Sequence, residues 1–305
     1  RRRLPAEQVV WLVIALAIYR RQSMPEVLAT LDLALSAASA QAVSKSAVTQ
    51  ARQRLGAKPL AQLFDQTARA WWQGLSRWAM DGTTFRTPDS TNNRAHFGAQ
   101  AYASGKVASY PQVRAVSITA IPTHLVSDIA FGTYAQNEML YAKTLVGRIA
   151  DHSLTVFDRG FLSAEILLGL TLGGQERHYL IPAKSNTKWE VLSGSADDCL
   201  VRMRVSPQAR AKAPELPEHW TARAVRMVSA NGKQRVLLTS LLDRRRFKAE
   251  ALAECYRRRW EIETSYRELK QSMLGEALTL RSQQPEGIEQ EIWGALIAYN
   301  LVRLE

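Results

Sequence analysis

The strongest constraint on this chain is the alternation of run types between residues 78 and 184. "WAMDGTTFRT" (78–87), "VRAVSITAIP" (113–122) and "HLVSDIAFG" (124–132) have the alternating, β-branched character of strands. The last two lie close enough to form an antiparallel hairpin. A helical run at 137–150, a strand at 153–158, a second helix at 163–172 and a strand at 178–184 follow. Three strands, then helix, strand, helix, strand, predict an α/β fold, a mixed sheet with helices on its faces. Within this block the stretch 88–112, rich in Ser, Asn, Gly and Tyr, reads as a long polar loop.

The flanks differ. Residues 4 to about 78 are helical in pattern; Ser23 with Glu26 three residues on forms a capping box, and Pro25 is tolerable in the first turn. A further helix is expected from Ser44 or Ser46, punctuated by Gly56 and Pro59 before another begins. Two short helices joined in this way resemble a helix-turn-helix, in which Lys45, Arg52 and Arg54, with Thr49, Gln50 and Gln53, suit phosphates or base edges. A solvated helix face has the same composition. After residue 186 the runs at 199–205, 220–228 and 233–242 are β-like, with Asn231–Gly232 as a hairpin signal between the last two. Helical patterning returns at 248 and continues to the end. The expected organisation is a helical DNA-binding region at 1–75, the first part of a core at 76–185, a β-rich insertion at 186–242 and the rest of the core at 243–305.

Charge narrows the partners. Forty Lys and Arg against 28 Asp and Glu give a formal +12, a field that attracts polyanions such as nucleic acid. An anionic membrane is the rival, but the most apolar run, residues 9–19, has eleven residues before Arg20 and Arg21. A bilayer span takes about twenty, so a buried helix and no membrane partner are expected. Cys199 and Cys255 are the only cysteines, without a CxxC or Cys/His cluster; a thiolate metal site is excluded and a reducing cytosol is the simplest setting. There is no Gly-rich loop of Walker type, so no nucleotide cofactor is expected.

The run "CYRRRWEIETSYRELK" (255–270) keeps a glutamate among many cations. On a helix, at about 100° per residue, Tyr256, Arg259, Glu263 and Lys270 fall within roughly a 60° wedge. That face offers a carboxylate for a divalent cation, two cations for phosphate oxygens, and a phenol. An exposed helix laced by an Arg259–Glu263 pair four residues apart satisfies the same pattern. Asp81 before Gly82, and Asp158 before Arg159 and Gly160, are each also ordinary turn sequences.

Together these residues resemble a known family. The spacing Tyr256, Arg259, Glu263, Lys270 is that of the signature of the insertion-sequence-4 family of bacterial DDE transposases, and "MDGTTF" and "FDRGF" supply Asp81 and Asp158 at the positions of its first two acidic residues. The order of elements is similar to a ribonuclease H core, and the long gap before Glu263 matches the family's β-rich insertion. The resemblance implies a ribonuclease H-like transposase in which Asp81, Asp158 and Glu263 are catalytic and hold two Mg²⁺ or Mn²⁺ ions. Hard oxygen donors suit either ion. Tyr256, Arg259 and Lys270 would position phosphates, and Arg159 and the cluster Arg244, Arg245, Arg246 and Lys248 would follow the DNA backbone. Trp189 is a candidate for stacking on an extruded base. The implied reaction is cleavage of transposon ends, passage through DNA hairpins and strand transfer into target DNA, by a cytoplasmic homodimer in a synaptic complex on double-stranded DNA. A nuclease or resolvase that cuts without joining, and a DNA-binding protein that has lost catalysis, are the other readings.

Overall fold

The computed structural model describes residues 4–31, 44–64, 71–102, 105–228, 232–259 and 279–304. Its centre is a ten-stranded mixed sheet among those residues. Short β1 (Trp71–Trp72) folds back on β2 (Leu75–Arg86), which pairs antiparallel with β3 (Gln112–Ala120), and β3 with β4 (Val126–Thr133). On the other side β2 runs parallel to β5 (Ser153–Phe157), and β5 parallel to β6 (Arg177–Pro182). The strand order β4-β3-β2-β5-β6 is that of a ribonuclease H-like core, in agreement with the alternation of runs. All five residues of β5 are buried, as a parallel strand covered on both faces requires.

The strands of the expected insertion enlarge this same sheet. β7 (Glu190–Gly194), β8 (Asp198–Arg204) and β9 (His219–Val228) lead to β10 (Gln234–Thr239), which pairs antiparallel with β6, Leu237 opposite Pro182. β9 and β10 face each other from Gln234 opposite Val228 onward, the pairing that the Asn231–Gly232 signal predicts; Asn231 itself lies outside the described residues.

Helices cover both faces. On one face lie α1 (Ala6–Ile18), α4 (Lys58–Phe64), α9 (Ala249–Arg257) and α10 (Pro285–Leu304). Val13, Leu60, Leu252 and Ile292 pack there with Leu75, Ala79, Leu154 and Val156 in one buried cluster. On the other, α6 (Glu138–Val146) and α7 (Ala164–Leu172) bury Leu145, Ile166 and Leu170 against Trp78, Met80, Phe157 and Ile181. Strand alternation explains the division: neighbours along β2 go to opposite clusters. The remaining helices are α2 (Met24–Thr30), α3 (Lys45–Leu55), α5 (Thr91–Phe97) and α8 (Pro207–Lys212).

At the start of α2 Ser23 and Glu26 form the predicted capping box, with the backbone N–H of Ser23 donating to the Glu26 carboxylate at 2.6 Å. Ser44 caps α3 by accepting from the Ala47 N–H, and α3 stops at Gly56, whose φ of 66° suits glycine. The stretch expected to be a polar loop contains α5. Ser90 caps it by accepting from Asn93 N–H, and Phe97 is fully buried. Its Ser-Thr-Asn-Asn opening is thus a helix start, held to the far end of the chain by Asn93 Nδ2 donating to the Ser282 carbonyl at 2.9 Å. Among the described residues no helix is long and apolar enough to cross a membrane. Cys199 and Cys255 are both buried and free.

Candidate active site

Asp81 and Asp158 reach the same place through the pairing of β2 and β5. The ladder matches Ala79 with Val156 and Met80 with Phe157, and its next step sets Asp81 beside Asp158. Ala79 and Val156 both point into the cluster that contains α9. With a side-chain period of two, Asp81 and Asp158 face that side as well. Asp81–Gly82 is no turn: it lies inside the continuous strand β2, Asp81 opposite Ser117. Gly82 turns its missing side chain to the other face, where the Glu138 carboxylate stands 2.7 Å from the position a Cβ would take. Asp158 does sit in a local turn, capping a short 3-10 turn at Arg159–Phe161.

One carboxylate oxygen of each residue is held by the backbone. Asp81 Oδ1 accepts from Gly82 N–H and Asp158 Oδ1 from Gly160 N–H, both at 2.9 Å. The Oδ2 atoms face a common cation: Arg259 Nη1 is 3.6 Å from Asp81 and Nη2 3.9 Å from Asp158. Arg259, just past the end of α9, therefore reaches both acids, and Tyr256, in the last turn of that helix, feels the charge of Asp158. The side chains of Tyr256 and Arg259 touch, with the guanidinium carbon 5.8 Å from the centre of the phenol ring. Both are buried. Burial pushes the Tyr256 hydroxyl above its ordinary pKa; Arg259 opposes that shift and Asp158 adds to it. The phenol thus stays protonated near neutrality and remains a hydrogen-bond donor.

Glu263 and Lys270 lie outside the described residues, as does Trp260. Among the described residues no group of three His, Cys, Asp or Glu side chains comes together; Asp81 and Asp158 are the acidic pair that the fold unites. Arg159 is exposed beside Asp158. Lys45 opens α3, and Arg54 is exposed on its last turn. Arg52 is committed inward: its Nε donates to Gln290 Oε1 at 2.8 Å, its Nη2 to the Gly287 carbonyl, and Gln290 Nε2 donates back to the Arg52 carbonyl. Arg244 donates to the Ser193 carbonyl and Arg246 to the Gln73 carbonyl, whereas Arg245 and Lys248 are exposed. Trp189 is half-buried against the α6–α7 cluster.

Sequence reasoning missed Arg235. It lies on β10 two residues before Leu237, which belongs to the α9 cluster, so it faces the same side as the acids. Its charge acts on Tyr256, and it is exposed. The alternation in "KQRVLLT" was the available signal, unreadable until the register of β10 against β6 fixed which face was which.

Comparison with known proteins matches residues 72–301 to the family model described as a transposase DDE domain, and residues 1–65 to the N-terminal region of insertion element 4 transposases. The transposase InsG of insertion sequence element IS4, from Escherichia coli strain K12, is 40% identical over 314 aligned residues, covering 100% of this chain and 70% of that protein. The putative transposase InsZ of the same strain is 35% identical over 202 residues, or 63% of this chain and 66% of that one. Among solved structures, a piggyBac transposase synaptic complex with hairpin DNA aligns over 96% of this chain and 65% of its own, at 11% identity and a TM-score of 0.44.

Proposed function

The chain belongs to the DDE transposases of the insertion-sequence-4 kind, and on that premise we propose that it cuts the ends of a mobile element and joins them to target DNA, with Asp81, Asp158 and Glu263 as its catalytic acids. The observation that carries this reading is the meeting of Asp81 and Asp158 on adjacent parallel strands, each with Oδ2 directed toward a shared positive charge. Family membership makes the protein an enzyme of DNA cleavage and strand transfer and implies divalent metal ions; we propose Mg²⁺ or Mn²⁺, two per site.

The donors fit such ions. Carboxylate oxygens are hard ligands, and tethering of each Oδ1 by a backbone N–H presents each Oδ2 in a fixed direction. Asp81 and Asp158, with Glu263, would hold the metal. When bound, it supplies Lewis-acid activation of the attacking oxygen and charge stabilisation of the leaving one. Arg259 is placed to neutralise the non-bridging oxygens of a phosphodiester, a task to which its planar fork is suited. Tyr256 donates from its protonated hydroxyl to the same backbone, and Lys270 takes a neighbouring phosphate.

The proposed sequence has four exchanges at phosphorus. Water breaks the bond at the element end and leaves a 3′-hydroxyl; that hydroxyl attacks the opposite strand and closes a hairpin. Water opens the hairpin, and the regenerated 3′-hydroxyl attacks target DNA. We propose that a homodimer in the bacterial cytoplasm carries this out on paired element ends.

The test is a duplex carrying terminal inverted repeats, incubated with the protein with and without Mg²⁺. Nicks, hairpins and joined products are expected only with metal. Glu263→Gln should abolish all three while sparing most DNA binding. Retained cleavage by that variant would overturn the assignment of Glu263, and cut products that are never joined would replace transposition by simple nuclease activity.

A further inference from the structure

On the α7 side of the sheet, away from the face that carries the aspartates, a cavity of about 390 Å³ opens between the start of α7 and the chain leaving β6. Ligand pockets in proteins span about 300–1,000 Å³, so the space suits a group the size of a nucleotide unit. Its charged lining is wholly cationic: Lys184 and Lys188 on the segment that leaves β6, and Arg204 at the end of β8. Among the described residues no carboxylate lines it.

The two lysines are exposed and make no ion pair among the described residues. Arg204 stands 3.8 Å from Glu218, with both side chains more than half exposed, a contact that water and salt weaken. The lip that bears the lysines is a built turn. Thr187 Oγ1 accepts from Lys184 N–H at 2.9 Å, and Thr187 N–H donates to the Lys184 carbonyl at 3.0 Å. Across from it, Ser163 caps the nine-residue helix α7 without a side-chain bond to the first turn, leaving N–H groups of that turn as donors. Trp220 forms an apolar wall, its indole N–H already given to Tyr179 Oη at 3.3 Å. The wall at Leu162 directly follows the 3-10 turn that Asp158 caps.

Three cations, no acid and helix N–H donors select a phosphate-type anion. We propose that this pocket binds a backbone phosphate of DNA, as a sequence-independent subsite on the opposite face of the sheet from the acids. The proposal rests on the reading of DNA as substrate. It assigns Lys184, Lys188 and Arg204 to a contact that the signature residues do not make.

The experiment compares the wild-type protein with Lys184→Ala/Lys188→Ala and Lys184→Arg/Lys188→Arg. Dissociation constants would be measured over a range of salt for an element-end duplex and for an unrelated duplex of equal length. Each phosphate contact contributes about 0.9 to the slope of log affinity against log salt. The double alanine variant should lower that slope by about 1 to 2 and weaken binding several-fold, and the double arginine variant should restore both. An equal loss on both duplexes is the expected result, and a loss on the element-end duplex alone would overturn the sequence independence of the contact. An alanine variant with wild-type slope and affinity on both duplexes would overturn the subsite. Wild-type protein that neither binds nor cuts either duplex would instead overturn the underlying transposase reading.

Discussion

Two buried arginines, Arg223 in the added strands and Arg259 at the acids, show how the same side chain serves different ends. Arg223 is fully buried and closed: Nε and Nη2 donate to the two oxygens of Asp198 at 2.8 and 2.7 Å, and Nη1 to the Phe247 carbonyl at 2.6 Å. That is a bidentate structural clamp, tying β9 to β8 and to the chain entering α9. Arg259 instead divides itself between two carboxylates from different strands, at 3.6 and 3.9 Å, distances of charge attraction rather than hydrogen bonding. A clamp of short bonds resists rearrangement, whereas contacts at these longer distances give way more easily to another cation.

The sharpest way to break this contrast is a matched pair of variants. Asp198→Ala strands Arg223 in the interior and should cost about 3–5 kcal/mol of stability, read from urea unfolding, with cleavage per folded molecule unchanged. Asp81→Asn keeps the shape and leaves Arg259 its second acid. It should cost about 1 kcal/mol, the central value for a single substitution, yet lower cleavage by at least about 10²-fold, the scale for losing one preorganised electrostatic group. Comparable stability losses in the two variants would make the Arg259 cluster a clamp as well.

A smaller effect separates two arginines of α3 that the sequence groups together. Arg52→Ala removes charged hydrogen bonds to Gln290 and Gly287 and should cost about 1.5–3 kcal/mol. Arg54 is exposed, so Arg54→Ala should change stability by about 0.5 kcal/mol or less while reducing the salt slope of DNA binding by about 0.9. The reverse pattern would mean that Arg52, despite its inward bonds, is the one that reaches DNA.

These cases mark what was legible in the sequence. The core strands and their helices could be read because periodicity records which face each residue buries, whereas Asp81 and Asp158, ordinary turn residues when taken singly, stood out only through their resemblance to the family's acidic motifs. Glu263 was singled out by its spacing, and it lies outside the described residues. The inward role of Arg52 was not legible, since its partners are more than 230 residues away and nothing local distinguishes it from Arg54. Nor was the continuity of the added strands with the core sheet, because β-like runs do not announce which edge they will join. The helix at Thr91–Phe97 was hidden by polarity: the cap that starts it and the loop it resembles use the same residue types.

The mildest prediction concerns alkaline pH and again contrasts the α9 face with the other side of the sheet. Burial pushes the Cys255 thiol from 9.0 to about 11, partly opposed by Arg77, and the Tyr179 hydroxyl from 10.0 to about 12. A raised value means that the folded protein holds its proton more tightly than the unfolded chain. The associated stability is therefore complete below about pH 9 and is lost as pH climbs from 9 through 11 and 12. By pH 10 the loss should be on the order of 1 kcal/mol, mostly from Cys255, whose ordinary value is the lower of the two. Urea midpoints at pH 8 and pH 10 measure it, with Cys255→Ala as the partner variant. The decline should shrink in Cys255→Ala even if that variant is less stable at both pH values. An undiminished decline would move the alkaline sensitivity from the α9 face to Tyr179 on the opposite one.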